Sequence, residues 1–280
     1  MPLKLMYITN SEDVAHIAEE ASVDRIFVDM EYIGKTDRQG GMDTVQSRHT
    51  ADDVRRLAQC LNKSELFVRV NPIHEKTDKY SSSKEEIDEV IEAGADLLML
   101  PYFKTAEEVQ TFVKYVDGRA KTVLLVETPE AAAIAENLVK IPGIDEMFIG
   151  LNDLSLGYGK NFTFELLLDG TVEELCLKFR KGGIPYGFGG IASLGKGMLP
   201  SEYVIKEHYR LGSTCAILSR SFCRTDQVTD LKEIQKIFET ELPKIRQLEE
   251  ECSVHSQYFW KNRQQVETKI RQICECEDAK

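Results

Sequence analysis

No stretch of this 280-residue chain stays apolar for the roughly 20 residues a helix needs to cross a bilayer. The N-terminus also lacks the basic-then-apolar order of a secretory signal. Basic charge is short: 35 Lys and Arg stand against 47 Asp and Glu, a formal net charge of −12. Nucleic acids and anionic membranes require a basic face, so neither is expected as a partner, and the chain reads as cytoplasmic. The seven cysteines (Cys60, Cys176, Cys215, Cys223, Cys252, Cys274 and Cys276) are odd in number and scattered. That suits reduced thiols rather than a disulfide framework, and Cys274-Glu-Cys276 is too sparse for a structural zinc site. No internal repeat or low-complexity segment is evident. The first strand-to-helix turn, Ile8-Thr-Asn-Ser-Glu-Asp13, contains no glycine, which argues against the fingerprint of a doubly wound dinucleotide-binding sheet.

What the chain does have is a recurring alternation. Apolar, strand-like runs occupy Lys4–Thr9, Arg25–Met30, Leu66–Asn71, Leu97–Pro101, Thr122–Glu127, Glu146–Asn152, Tyr186–Ile191 and Thr214–Ser219. Several are apolar almost throughout, as expected of parallel strands covered on both faces. Helix-start signals follow most of them: Ser11-Glu-Asp, Thr50-Ala-Asp-Asp53, Ser83-Lys-Glu-Glu86, Thr105-Ala-Glu-Glu108 and Thr128-Pro-Glu130. Eight strands with intervening helices predict an α/β protein, a (β/α)8 TIM barrel, over residues 1–250, with Leu231–Glu251 as the closing helix. Residues 251–280 read as a helical tail. Its Phe259, Trp260, Ile270 and Ile273 either pack on the barrel or meet another subunit.

Barrel chemistry sits on the loops after the strands. Those positions hold Asp29, Glu31, Arg69, Asn71, Glu127, Asp153, Gly189, Gly190, Ser219 and Arg220. Glu127 and Asp153 end consecutive apolar runs, so adjacent strands bring two hard oxygen ligands to one edge, a site for Mg²⁺ or Mn²⁺. Each residue also has a plainer reading. Glu127 can serve the first turn of the helix it precedes, Asp153 can be a turn acid, and Arg69 can balance Glu31 in an ion pair. The long polar loop Ile33–His49 holds Gly34, Gly40 and Gly41, with Lys35 and Arg38 read as surface charges slightly sooner than as contacts to an acidic substrate.

Phe67-Val-Arg69-Val-Asn-Pro72, Leu98-Met-Leu-Pro101, Val126-Glu127-Thr128-Pro129 and Phe148-Ile-Gly-Leu-Asn-Asp153-Leu-Ser155 resemble, in order, the HpcH/HpaI aldolase and citrate lyase family, over residues about 25–222. The resemblance implies that Glu127 and Asp153 bind a divalent metal (Mg²⁺, Mn²⁺ or Co²⁺). It implies that Arg69 holds the substrate's oxyanion end, and that Glu31 supports metal-bound water. It also implies a homo-oligomer. One departure stands out: where the family's aldolases carry a proton-transfer histidine after that glutamate, this chain reads Asp29-Met-Glu31-Tyr32. Tyr32, with a reference pKa near 10, is a poor base. His49 and His74, in the loops after strands two and three, are the possible substitutes.

The expected function is that of a metal-dependent carbon–carbon lyase of the class II aldolase type. The metal chelates pyruvate or a related 2-oxo acid, with Asp153 beside it. Arg69 faces the developing oxyanion, Gly189 and Gly190 admit the carboxylate, and the enolate adds to an aldehyde or is released by the reverse cleavage. The alternatives are a citrate-lyase-like acyl-CoA lyase and a barrel that binds a 2-oxo acid without turning it over.

Overall fold

The computed structural model describes residues 1–35, 47–225, 227–254 and 258–278. Arg38, Gly40, Gly41 and His255 lie outside them, as does the side chain of Cys276. The strands are β1 (Lys4–Ile8), β2 (Arg25–Asp29), β3 (Glu65–Arg69), β4 (Leu97–Leu100), β5 (Lys121–Val126), β6 (Glu146–Ile149), β7 (Tyr186–Ile191) and β8 (Cys215–Leu218). Each pairs in parallel with the next, and β8 pairs with β1, closing a barrel in chain order. All eight expected strands are present, with ends displaced by a few residues.

The helices between them are α1 (Glu12–Glu20), α2 (Ala51–Cys60), α3 (Ser83–Glu92), α4 (Ala106–Val116), α5 (Pro129–Ala133), α6 (Ala135–Leu138), α7 (Leu151–Gly157), α8 (Glu165–Leu168), α9 (Thr171–Lys181) and α10 (Ser201–Leu211). Capping boxes open α2 (Thr50 with Asp53), α3 (Ser82 with Glu85) and α4 (Thr105 with Glu108). The α3 cap is therefore one residue earlier than the sequence pattern suggests. Each box satisfies helix N–H groups that would otherwise lack partners.

The strands split their side chains between two cores. Met6, Phe27, Phe67, Leu97, Met99, Val123, Leu125 and Phe148 fill the barrel interior, while the larger core lies between strands and helices. At the amino ends of the strands the interior is closed by charge. Arg25 donates to both oxygens of Glu146 at 2.8 and 2.9 Å and through Nε to Glu65 at 3.0 Å. The Cys215 thiol donates to the same Glu146, at 3.1 Å. This plug leaves the carboxyl ends as the open face.

The chain continues into α11 (Leu231–Val254) and α12 (Phe259–Asp278). The tail lies on its own barrel: Val266 and Ile270 are fully buried, Asn262 donates to Glu207 at 2.8 Å, and Arg263 meets Glu173 at 3.0 Å. Trp260 remains 73% exposed. The six described cysteines form no disulfide. Among the described residues, no helix is long and apolar enough to cross a membrane.

Candidate active site

The carboxyl ends of the strands open into a cavity of about 740 Å³. Asp29, Lys35, His49, Arg69, Glu127 and Asp153 line it, with Gly189 and Gly190 and an apolar wall that includes Phe162, Phe164 and Leu199.

Glu127 follows the last residue of β5. Its Oε1 accepts the Tyr102 N–H at 2.9 Å. Gly150, at the end of β6, makes room for it: a Cβ there would stand 2.7 Å from Glu127 Cβ and 2.8 Å from Oε2. Asp153 is not at a strand end as its apolar run suggests. β6 stops at Ile149, and Asp153 is the third residue of α7, because Leu151 and Leu154 bury one helical face. β5 and β6 are neighbours, with Val126 paired to Ile149, so the two acids still converge. Burial pushes the Glu127 carboxyl well above its ordinary range. The nearby charges of Glu31 and Asp153 push it the same way, against Arg69. A carboxylate crowded by two others in a buried site is one that a cation would relieve.

Among the described residues, no group of three or more His, Cys, Asp and Glu is arranged to hold a metal. A divalent ion here would rest on Glu127 and Asp153, with substrate and water oxygens completing its shell. That donor set suits Mg²⁺, which is commonly held by one or two carboxylates.

Beside this pair lies a four-membered ion cluster. Asp29 and Arg69 are partners in the β2–β3 register. Arg69 donates through Nε and Nη2 to Asp29 at 2.8 and 2.7 Å, and its Nη1 lies 3.3 Å from Glu31 Oε2. Lys35 Nζ donates to Asp29 at 2.8 Å and stands 3.5 Å from Glu31. Burial alone would raise the Asp29 pKa, but Arg69 and Lys35 hold it well below the carboxylate range. Burial works against the Arg69 charge, yet Asp29 and Glu31 raise its pKa overall. Arg69 thus makes the structural ion pair and also reaches the cavity. Lys35, read from sequence as a surface charge, is 4% exposed. Its signal was present as the fourth residue after Glu31, a spacing that lets a helical turn pair the two charges.

The remaining expected site residues separate. Glu31 is buried beside Arg69 but is not among the cavity-lining residues. Tyr32 is 44% exposed, outside the cavity, with its ring 5.4 Å from that of Tyr80. Burial and the Glu86 charge raise its pKa, which makes a poor base poorer. His74 also lies outside: Nδ1 is 2.7 Å from the Pro72 carbonyl and Nε2 is 2.8 Å from that of Ser81, an arrangement that pins the loop after β3. His49 does line the cavity, and its Nδ1 accepts the Asp29 backbone N–H at 3.0 Å. Gly189 adopts φ +51°, and a Cβ there would meet Leu151 at 2.7 Å. Both conformation and space therefore call for glycine.

A family model described as HpcH/HpaI aldolase/citrate lyase matches residues 4–170, more than half of the chain. Curated proteins yield no significant match. Among solved structures, one similar fold is an HpcH/HpaI aldolase/citrate lyase family protein from Burkholderia cenocepacia J2315. It is 16% identical, with TM-score 0.61, covering 84% of this chain and 95% of that one. An HpcH/HpaI aldolase from Desulfitobacterium hafniense DCB-2 is 14% identical, with TM-score 0.60 over 84% and 93% of the two chains. The citrate lyase beta subunit from M. tuberculosis, complexed with oxaloacetate and magnesium, is 14% identical, with TM-score 0.54 over 84% and 96%.

Proposed function

Because the chain belongs to the HpcH/HpaI aldolase/citrate lyase family, we propose that it is a divalent-metal-dependent carbon–carbon lyase that forms or cleaves a bond to the enolate of pyruvate or a related 2-oxo acid. The observation that carries this reading is the convergence of Glu127, just past the end of β5, and Asp153, in the first turn of the helix after the neighbouring β6, with Glu127 crowded by Glu31 and opposed by Arg69. A magnesium-and-oxaloacetate complex of a protein with the same fold lends support.

Glu127 and Asp153 would hold the ion, and the ion, when bound, supplies Lewis acidity that polarises the keto oxygen and acidifies the neighbouring carbon. Tyr102 N–H fixes the Glu127 carboxylate in place. Arg69 adds a positive charge whose position is set beforehand by Asp29 and Glu31. Such preorganised charge beside a developing oxyanion is often the largest catalytic contribution. The open backbone at Gly189 and Gly190 lets the substrate carboxylate come close to the main chain. Pyruvate occupies a small part of a cavity of about 740 Å³, which leaves room for a second substrate against the apolar wall of Phe162, Phe164 and Leu199.

The test is exchange of pyruvate methyl protons in D₂O, followed by NMR. Exchange is expected with Mg²⁺ or Mn²⁺ and is expected to vanish with EDTA or in Glu127→Ala. Exchange that survives both treatments rules the reading out. Pyruvate binding without exchange would favour the non-catalytic alternative.

A further inference from the structure

Among the described residues, His49 is the histidine that lines the cavity, and the place of a general base is the role its position first suggests. Its surroundings assign it another. Asp29, at the end of β2, points its backbone N–H at His49 Nδ1 over 3.0 Å. A backbone amide can only donate. Nδ1 must therefore offer its lone pair, and in the neutral ring the proton resides on Nε2. For His49 to take up a second proton, Nδ1 would have to carry hydrogen toward a donor that has no lone pair to give. The ring is half-buried and lines the cavity, so Nε2 is the nitrogen left to meet a substrate.

The charged groups around the ring come from three elements: Asp29 on β2, Lys35 in the loop that follows, and Asp53 in the first turn of α2. The two carboxylates favour a cationic ring. Burial, the largest effect, and the Lys35 ammonium oppose it, and the balance is a pKa below the ordinary histidine value.

We propose that His49 is a fixed hydrogen-bond donor, presenting Nε2–H to an oxygen of the bound 2-oxo acid, and that it is not the proton-transfer base of the reaction. This rests on the 2-oxo-acid reading above. With Lys35 and Arg69 it makes the β2–β3 side of the cavity a wall of donors facing the metal-binding acids, suited to an enolate oxygen or a carboxylate. The family's proton-transfer histidine is therefore not replaced by a histidine nearby.

Two measurements test this on the full-length protein. Long-range ¹H–¹⁵N correlation of the imidazole nitrogens reports the tautomer directly, without substrate or metal. The expected pattern is Nε2–H in the neutral ring, with any protonation setting in below the ordinary histidine value. An Nδ1–H ring, or a ring that titrates at the ordinary value, overturns the proposal. Oxalate, a planar mimic of the pyruvate enolate, then serves as a probe with Mg²⁺ in calorimetry. His49→Leu should weaken oxalate binding about tenfold, the scale of a lost hydrogen bond to a charged group. His49→Gln, whose amide can accept from Asp29 N–H and still donate, should stay within about threefold of the parent. If the Leu variant binds oxalate as the parent does, the donor role is wrong. If the parent itself fails to bind oxalate with Mg²⁺, the 2-oxo-acid reading fails and takes the donor role with it. The nitrogen spectra tell that failure from an error about the ring.

Discussion

Arg69 and Asp29 face each other across neighbouring strands and meet through two parallel hydrogen bonds of 2.8 and 2.7 Å. Asp29 also holds Lys35, so this carboxylate and that of Glu31 together balance the two cations. Asp29→Asn would leave both short of charge, and removing one partner of a buried pair typically costs about 3–5 kcal/mol. The expected outcome is a loss of that order in urea unfolding. The pH dependence follows from the depressed Asp29 pKa. The stabilisation is complete above the unfolded value of about 4 and is lost as pH falls through the lower folded value. The variant should lose that acid limb.

Gly150→Ala is a small change with a local target. Its backbone, at φ −83°, accepts alanine, but the new methyl would press on Glu127 Cβ and Oε2. The protein should fold and lose Mn²⁺ affinity about 10–100-fold, the usual effect of disturbing what orients a metal ligand. Mn²⁺ electron paramagnetic resonance measures it. Unchanged affinity would mean that Glu127 is not a ligand.

Arg69→Lys keeps a charge but not the fork. Lysine cannot hold Asp29 through two parallel bonds while reaching the cavity. Pyruvate proton exchange should fall about 10²–10³-fold, as when a single oxyanion donor is removed, with Mn²⁺ affinity changed much less. Equal losses in both would point to a collapsed site.

Tyr32→Phe should leave exchange rates within about threefold, since the ring lies outside the cavity and its pKa moves away from neutrality. A large drop would restore Tyr32 as the proton donor.

His208 gives a prediction independent of function. It is fully buried, stacked on Phe188 at 3.9 Å, with a pKa pushed down to about 3 by burial. The unfolded chain takes up its proton near pH 6.5 and the folded one does not. Stability should therefore fall as pH drops from about 6.5 toward 3, by about 1.4 kcal/mol per pH unit from this one group. His208→Gln should flatten the slope by one proton's worth in denaturation series across that range.

Strand and cap patterns are local, and they were legible. Apolar runs of four to six residues with capping residues after them announced the eight strands and most helix starts, because periodicity and end-capping depend on near neighbours in the chain. Glu127 and Asp153 were legible as a pair for the same reason, even though Asp153 belongs to a helix rather than a strand end.

What residues 1–280 determined by themselves was the alternation that closes a barrel and the side chains that could meet at its rim. Which of them meet was decided only by the closed structure. Tyr32 and His74 fell outside the cavity while Lys35 was drawn in, because the direction of a loop side chain depends on partners far along the chain. Asp29 is held by Arg69 on the next strand, and Lys35 follows Asp29 and Glu31 into the cavity. The Asp29 N–H that sets the His49 proton is likewise a tertiary contact, with no trace in residue type or spacing.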